Sequence, residues 1–297
     1  MDHDELMFRP GLLAGQRVLV TGGGTGLGRV IAEACLLLGS EVYICGRRSD
    51  VLQRTASELQ SAHAGRVVPL QCDLRQHEAI VELIDHVWSD GGPLTGLVNN
   101  AAGNFLSRTE DLSPRGFDAI ANTVFRGSFL VTLECAKRWL AEGRRASVVS
   151  MLTTWVWNGS PFTVPSAMSK AALRAMTQSL AVEWGPRGLR LNAIAPGLFP
   201  TPGMSARLDP GGSSYDPASR NPMRRAGRMT ELANLAVFLL SDGAGYVNGE
   251  TIAIDGAEHL ASGGNFAHLA SWTPQQLLEA REAARRTDAA DKQARRS

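Results

Sequence analysis

RVLVTGGGTGLG, residues 17–28, decides how the rest of the chain is read. A short run of β-forming residues passes directly into Gly22, Gly23, Gly24, Gly26 and Gly28, and a helix-period apolar pattern follows from Gly26 to Leu38. Glycines let a backbone turn tightly and come close to a pyrophosphate. The helix start adds free N–H groups and the positive end of its dipole. A glycine turn alone is ordinary; flanked by strand and helix in this order, it reads as a dinucleotide site. Thr21, Gly22, Gly24, Thr25, Gly26, Leu27 and Gly28 are its expected contacts.

Working outward, the same alternation continues. β-rich runs stand at EVYIC 41–45, VVPLQC 67–72, GLVNN 96–100, SVVSM 147–151, LRLNAIA 189–195 and TIAID 251–255. Helical patterns occupy Gly26 to Leu38, Val51 to Gln60 and Glu78 to Trp88, and Ser113-Pro114 has the form of an N-cap and first helical residue for a helix running to Leu140. A further helix is expected from Ser166 to Trp184, before Gly185 and Pro186. Strands alternating with helices predict an α/β fold: one Rossmann-type, doubly wound domain over residues 1–297, with a mainly seven-stranded parallel sheet. Residues 200–228 are rich in Gly, Pro, Ser and Arg and are read as a substrate lid; residues 273–297 are read as a helical tail that frays.

Composition narrows the partners. With 44% hydrophobic residues, 20% charged residues and a formal charge of +1, the chain is an ordinary globular one with no global attraction for nucleic acid. Cys35, Cys45, Cys72 and Cys135 stand in apolar surroundings without a CxxC pair, which favours buried thiols over disulfides or metal ligands. The first residues, MDHDELMFRPGLLAG, have neither a basic leader nor a long apolar run, their acids argue against a transit peptide, and the terminal RRS is not a peroxisomal signal. The reading is a cytoplasmic protein that does not span a membrane.

The ends of the later strands refine the nucleotide site. About twenty residues past the glycine turn, where an NAD site places an acid, the chain has CGRR. Gly46 leaves space, and Arg47 and Arg48 suit a 2′-phosphate, so NADP is the expected cofactor. Asp73 and Leu74 follow the third strand, where the carboxylate could take the adenine amino group or serve as a turn residue. Asn100, Ala101, Ala102 and Gly103 follow the fourth.

TGGGTGLG, CDLR, NNAAG, the Lys170 segment VPSAMSK and NAIAPG together resemble the short-chain dehydrogenase/reductase family, over essentially the whole chain. NNAAGNF, SARLDPGG, ELANLAVFLLSD and GGNFAHL are similar to its 2,4-dienoyl-CoA reductase branch. The resemblance implies that Lys170 holds the nicotinamide ribose, that Pro196, Gly197, Leu198 and Thr201 line the nicotinamide, and that Thr153 takes the place of a substrate-binding serine. It places Arg75, Phe105, Ser113 and Arg207 toward an acyl-CoA. It also suggests a homo-oligomer, with a tetramer favoured, built through the long helices after Ser113 and Ser166.

The chain departs from the family where the acid should be. Ser166 occupies the position that holds tyrosine in most members, Trp155 the place where mitochondrial-type reductases supply one, and Val124 the place of the peroxisomal-type acid. Tyr43, Tyr215 and Tyr246 are the only tyrosines. Reducing a conjugated dienoyl thioester puts negative charge on the thioester oxygen, and fixed donors can stabilise it without protonating it. Asn104 and Trp155 are the candidate donors, with Thr153 and Ser166 as accessory hydroxyls. The expected activity is NADPH-dependent reduction of a 2,4-dienoyl-CoA in unsaturated fatty-acid degradation. The alternatives are reduction of another enoyl- or 3-oxoacyl thioester, or a catalytically impaired protein that binds NADPH and acyl-CoA.

Overall fold

The strands that the sequence marks as apolar become the inner layer. In the computed structural model, which describes residues 1–201, 221–261, 273–276, 278–280 and 282, seven parallel strands join in the order β3-β2-β1-β4-β5-β6-β7. They are β1 (Arg17–Thr21), β2 (Glu41–Gly46), β3 (Val67–Gln71), β4 (Gly96–Asn99), β5 (Ala146–Met151), β6 (Leu189–Pro196) and β7 (Thr251–Ile254). β1, β4 and β5 are buried along their whole length, as strands covered on both faces must be. Pro69 lacks an N–H and lies in β3, which pairs only with β2 at the sheet edge.

Alternation along each strand sorts side chains between the two helical layers. Val18 and Val20 face α1 (Gly26–Leu37), α2 (Ser49–Ala62) and the helix over Met229–Leu240, while Leu19 faces α3 (His77–Ser89) and the helices over Gly127–Ala141 and Val164–Trp184. The helix opening at Pro114 is capped by Ser113, whose hydroxyl accepts from the Gly116 N–H at 3.1 Å. It does not run unbroken to Leu140. α4 (Pro114–Ala121) passes through a π-helical turn at Asn122–Arg126 into α5 (Gly127–Ala141). A Cβ on Gly127 would come within 2.9 Å of the Leu74 backbone, so the turn brings the helix against the segment after β3.

Further α-helices are α6 (Trp155–Asn158), α7 (Val164–Trp184), α8 (Met229–Leu240) and α9 (Glu258–Ala261). Most of the expected lid, residues 202–220 with Arg207 and Tyr215, lies outside the described residues. Of the expected tail, Thr273 precedes helical residues 274–276, 278–280 and 282, and the rest lies outside the described residues.

Candidate active site

β1 and β4 are neighbours in the sheet although β2 follows β1 in the chain. That reversal opens a crevice at their carboxyl ends. The Thr21 hydroxyl, fully buried, accepts from the N–H groups of Asn100 and Ala101, both at 3.0 Å. Asn100 Nδ2 returns bonds to the carbonyls of Thr21 at 2.9 Å and Gly22 at 3.3 Å. Thr21 thus ties the glycine turn to the end of β4 and does not line the crevice. Gly22 and Gly26 have φ of +66° and +57°, where a side chain would be strained. At Gly28 a Cβ would sit 2.3 Å from Asn100 Nδ2 and 2.6 Å from the Gly22 carbonyl, so this glycine serves packing of α1 against the turn.

No side chain caps α1, whose first N–H groups open toward the crevice at Thr25 and Leu27. A hollow of roughly 320 Å3 runs from Gly22, Gly24 and Thr25 past Arg47 and Arg48 to Asp73, Leu74 and Ala101. Its anion-accepting turn, small residues and guanidinium groups fit a phosphorylated dinucleotide. Asp73 is already engaged: Arg75 Nε donates to its Oδ1 and Oδ2 at 2.9 and 3.0 Å, and Nη2 to Oδ2 at 2.5 Å. The Arg75 guanidinium holds the Asp73 carboxyl below the usual carboxylate range.

A second cavity of roughly 660 Å3 continues from the first, sharing Gly24, Thr25, Leu27, Arg48, Asn100 and Ala102 with it. Gly103, Asn104, Thr153, Trp155, Ser166, Lys170, Pro196, Gly197 and Thr201 all line it. Four segments that are distant in sequence therefore meet at one place. Lys170 is 5% exposed, and its Nζ donates to the Met151 carbonyl at the end of β5. Burial pushes its pKa down to about 8. Ser166 stands one turn before it on α7, also buried.

The donors are oriented. Asn104 Oδ1 accepts from the Phe105 N–H at 2.9 Å, which leaves the Nδ2 donors for the cavity. The Thr153 hydroxyl oxygen accepts from the Trp155 N–H at 3.2 Å, leaving its own proton to donate. Val124, fully buried with Leu152, Leu173 and Ala193, forms an apolar cluster in this region. Of the tyrosines, Tyr43 Oη is bonded to Glu41 and Asp90 at 2.9 Å, Tyr246 is fully exposed, and neither lines the cavity.

Other expected residues stand elsewhere. Arg75, Phe105 and Ser113 do not line the cavity: Arg75 is paired with Asp73, Phe105 lies beside Gly116, and Ser113 caps α4. Leu198 lines a neighbouring hollow of roughly 220 Å3 with Phe199, Asn221 and Asp255. Ser113→Ala is expected to lower unfolding stability by about 1 kcal/mol, measured by denaturant melts. Conversely, Arg29, Met151, Leu152 and Phe199 line the cavity and were not singled out in the sequence. Phe199 follows the NAIAPG motif by two residues, and Arg29 follows Gly28 directly, which are the local signals that mark them.

Among the described residues no helix is long and apolar enough to cross a membrane, and no group of His, Cys, Asp and Glu could hold a metal ion. The four cysteines are buried and free, and burial raises the pKa of each.

Residues 22–258 match the family model described as enoyl-(acyl carrier protein) reductase. The chain is 40% identical to a probable (3E)-enoyl-CoA-producing 2,4-dienoyl-CoA reductase of Caenorhabditis elegans, over 88% of this chain and 87% of that one. It is 36% identical to a probable (2E)-enoyl-CoA-producing 2,4-dienoyl-CoA reductase of Bacillus subtilis, over 82% and 96%. The crystal structure of a gluconate 5-dehydrogenase from Burkholderia cenocepacia in complex with NADP and tartrate superposes with a TM-score of 0.79 at 27% identity, covering 88% of this chain and all of that one. Sequence, sheet order and crevice agree: the chain belongs to the short-chain dehydrogenase/reductase family of oxidoreductases, on its 2,4-dienoyl-CoA reductase-like branch.

Proposed function

We propose that this protein is an NADPH-dependent reductase of 2,4-dienoyl-CoA thioesters that stabilises the reacting oxygen with fixed donors instead of a tyrosine. The observation that carries this reading is the convergence of Asn104, Thr153, Trp155, Ser166 and Lys170 on one cavity continuous with the nucleotide crevice. The names and products of the two dienoyl-CoA reductases above support the substrate class.

When bound, NADPH supplies a hydride to the distal carbon of the diene. This chain's residues then have a defined task. As charge builds on the thioester oxygen, the Nδ2 of Asn104 and the indole N–H of Trp155 donate to it, and the hydroxyls of Thr153 and Ser166 assist. Lys170 would hold the nicotinamide ribose and add positive charge to the site. Water delivers the later proton to carbon: addition next to the thioester gives the 3-enoyl product, and addition at the fourth carbon gives the 2-enoyl product. The reduction of a 3-oxoacyl thioester is different, because its alkoxide needs a proton promptly.

Arg47 and Arg48 take the 2′-phosphate. Arg47→Ala is expected to raise the NADPH Kd about tenfold while leaving NADH binding unchanged, read by fluorescence titration of both cofactors. Acyl-CoA binding within a homo-oligomer completes the reading, and sedimentation would count the subunits. The reductase reading itself is tested by steady-state NADPH oxidation across dienoyl-, enoyl- and 3-oxoacyl-CoA substrates, with the product double bonds assigned. Turnover confined to the dienoyl-CoA supports it. Equal or faster turnover of a 3-oxoacyl-CoA overturns it, and cofactor binding without oxidation of any substrate marks a binding protein.

A further inference from the structure

Trp155 and Trp157 are two residues apart on the same short helix, and the structure gives them separate surroundings. Trp155 lines the cavity, whereas Trp157 meets side chains from two other places in the chain. The His259 ring stacks on the Trp157 indole, with centroids 4.8 Å apart and planes 22° from parallel. The Arg174 guanidinium carbon stands 5.6 Å from the same indole centroid. His259 Nδ1 in turn donates to Asp255 Oδ2 at 2.6 Å, and the same oxygen accepts the His259 backbone N–H at 2.9 Å.

Each member is anchored close to the active-site wall. Arg174 lies one helical turn beyond Lys170 on α7. Asp255 follows β7 and is 8% exposed; a Cβ on Gly197, a cavity residue, would strike the Asp255 Cβ at 2.6 Å. Asp255 Oδ1 also accepts from the N–H of Ala257, held at φ +66°, a conformation that costs a non-glycine residue about 1 kcal/mol or more and persists only where its surroundings impose it. The turn that presents His259 is therefore fixed by Asp255.

By contrast, α6 has little to hold it by itself. It is four residues long, its N-cap Thr154 makes no side-chain bond and only the Thr153 hydroxyl takes the Trp155 N–H, and it begins and ends in turns closed by Val156, Trp157 and Gly159 N–H bonds to the carbonyls of Thr153, Thr154 and Trp155. Short helices are marginal without tertiary contacts. The aromatic stack supplies such contacts on the side away from the cavity.

We propose that Arg174, Trp157, His259 and Asp255 form a positioning clamp that holds α6, and with it the Trp155 indole, at a fixed place between Lys170 and Gly197. The contact is aromatic and cation–π at Trp157 and charge-assisted at Asp255, so its strength resides mainly in the His259 ring. For its effect on turnover the inference rests on the reductase reading; its effect on the order of α6 does not.

The test compares His259→Ala with His259→Phe in the full chain. Phenylalanine keeps an aromatic ring for the stacking and gives up the bond to Asp255. Hydrogen exchange of the Trp157 and Gly159 amides is expected to speed up about tenfold in His259→Ala, with the β5 amides unchanged, and to return most of the way in His259→Phe. Dienoyl-CoA kcat is expected to fall about tenfold in the alanine variant and to recover with phenylalanine, while the NADPH Kd stays within about twofold. Faster exchange without measurable turnover in the wild-type protein would uphold the clamp and reject the reductase. Unchanged α6 exchange in His259→Ala, or equal loss in both variants, would overturn the clamp.

Discussion

Replacing Lys170 with methionine is expected to lower kcat/KM for dienoyl-CoA reduction by about 10³-fold, with the fold intact. Methionine roughly matches the length of the lysine stem, so the buried volume at this position changes little. What disappears is the buried ammonium and its bond to the Met151 carbonyl. The pH dependence separates this effect from a packing fault. Burial lowers the Lys170 pKa from its ordinary range to about 8, so the folded protein binds fewer protons than the unfolded chain between about pH 8 and the ordinary lysine value. For stability, the penalty of the buried charge is present below about pH 8 and fades as pH rises above it. Catalysis has the opposite sign, because it uses the charged form: wild-type kcat/KM should fall above about pH 8, and the residual activity of Lys170→Met should lack that alkaline limb.

The second large effect is expected at Asn104. Its Oδ1 is committed to the Phe105 N–H at 2.9 Å, so the amide has one orientation and its Nδ2 is a preset donor. Asn104→Ala should lower kcat by about 10²-fold, the usual cost of removing one oxyanion donor, and leave the NADPH Kd unchanged. Asn104→Asp should be worse, since a carboxylate would face the developing negative charge. Trp155→Phe completes the comparison: it keeps an aromatic ring on the cavity wall but removes the indole N–H and the ring that carries it, so full turnover reduces Trp155 to packing.

The nucleotide half was legible because its demands are local. Gly22 and Gly26 need positive φ, Gly28 needs the absence of a Cβ, and strand and helix flank them within a few residues. The strands were legible to within a residue or so because all-parallel sheets bury both faces and so read as continuous apolar runs. The break at Asn122–Arg126 was not, because what it brings together, Gly127 and Leu74, lies more than fifty positions apart. Arg75 looked available for a CoA phosphate, although Asp73 two residues earlier was close enough in sequence to claim it. Asp255 and His259 stand four residues apart, but their meeting with Trp157 and Arg174 leaves no periodic trace in the sequence, since those come from two other elements.

The central claim is that amide, indole and hydroxyl donors stabilise the thioester oxygen without a phenol. Single-turnover stopped-flow oxidation of bound NADPH by a 2,4-dienoyl-CoA, in the wild-type protein and in Tyr215→Phe, addresses it directly. The expected result is a rapid oxidation phase of the same rate in both, with Asn104→Ala slowed about 10²-fold. A phase abolished by Tyr215→Phe, or no oxidation in the wild-type protein, would contradict it.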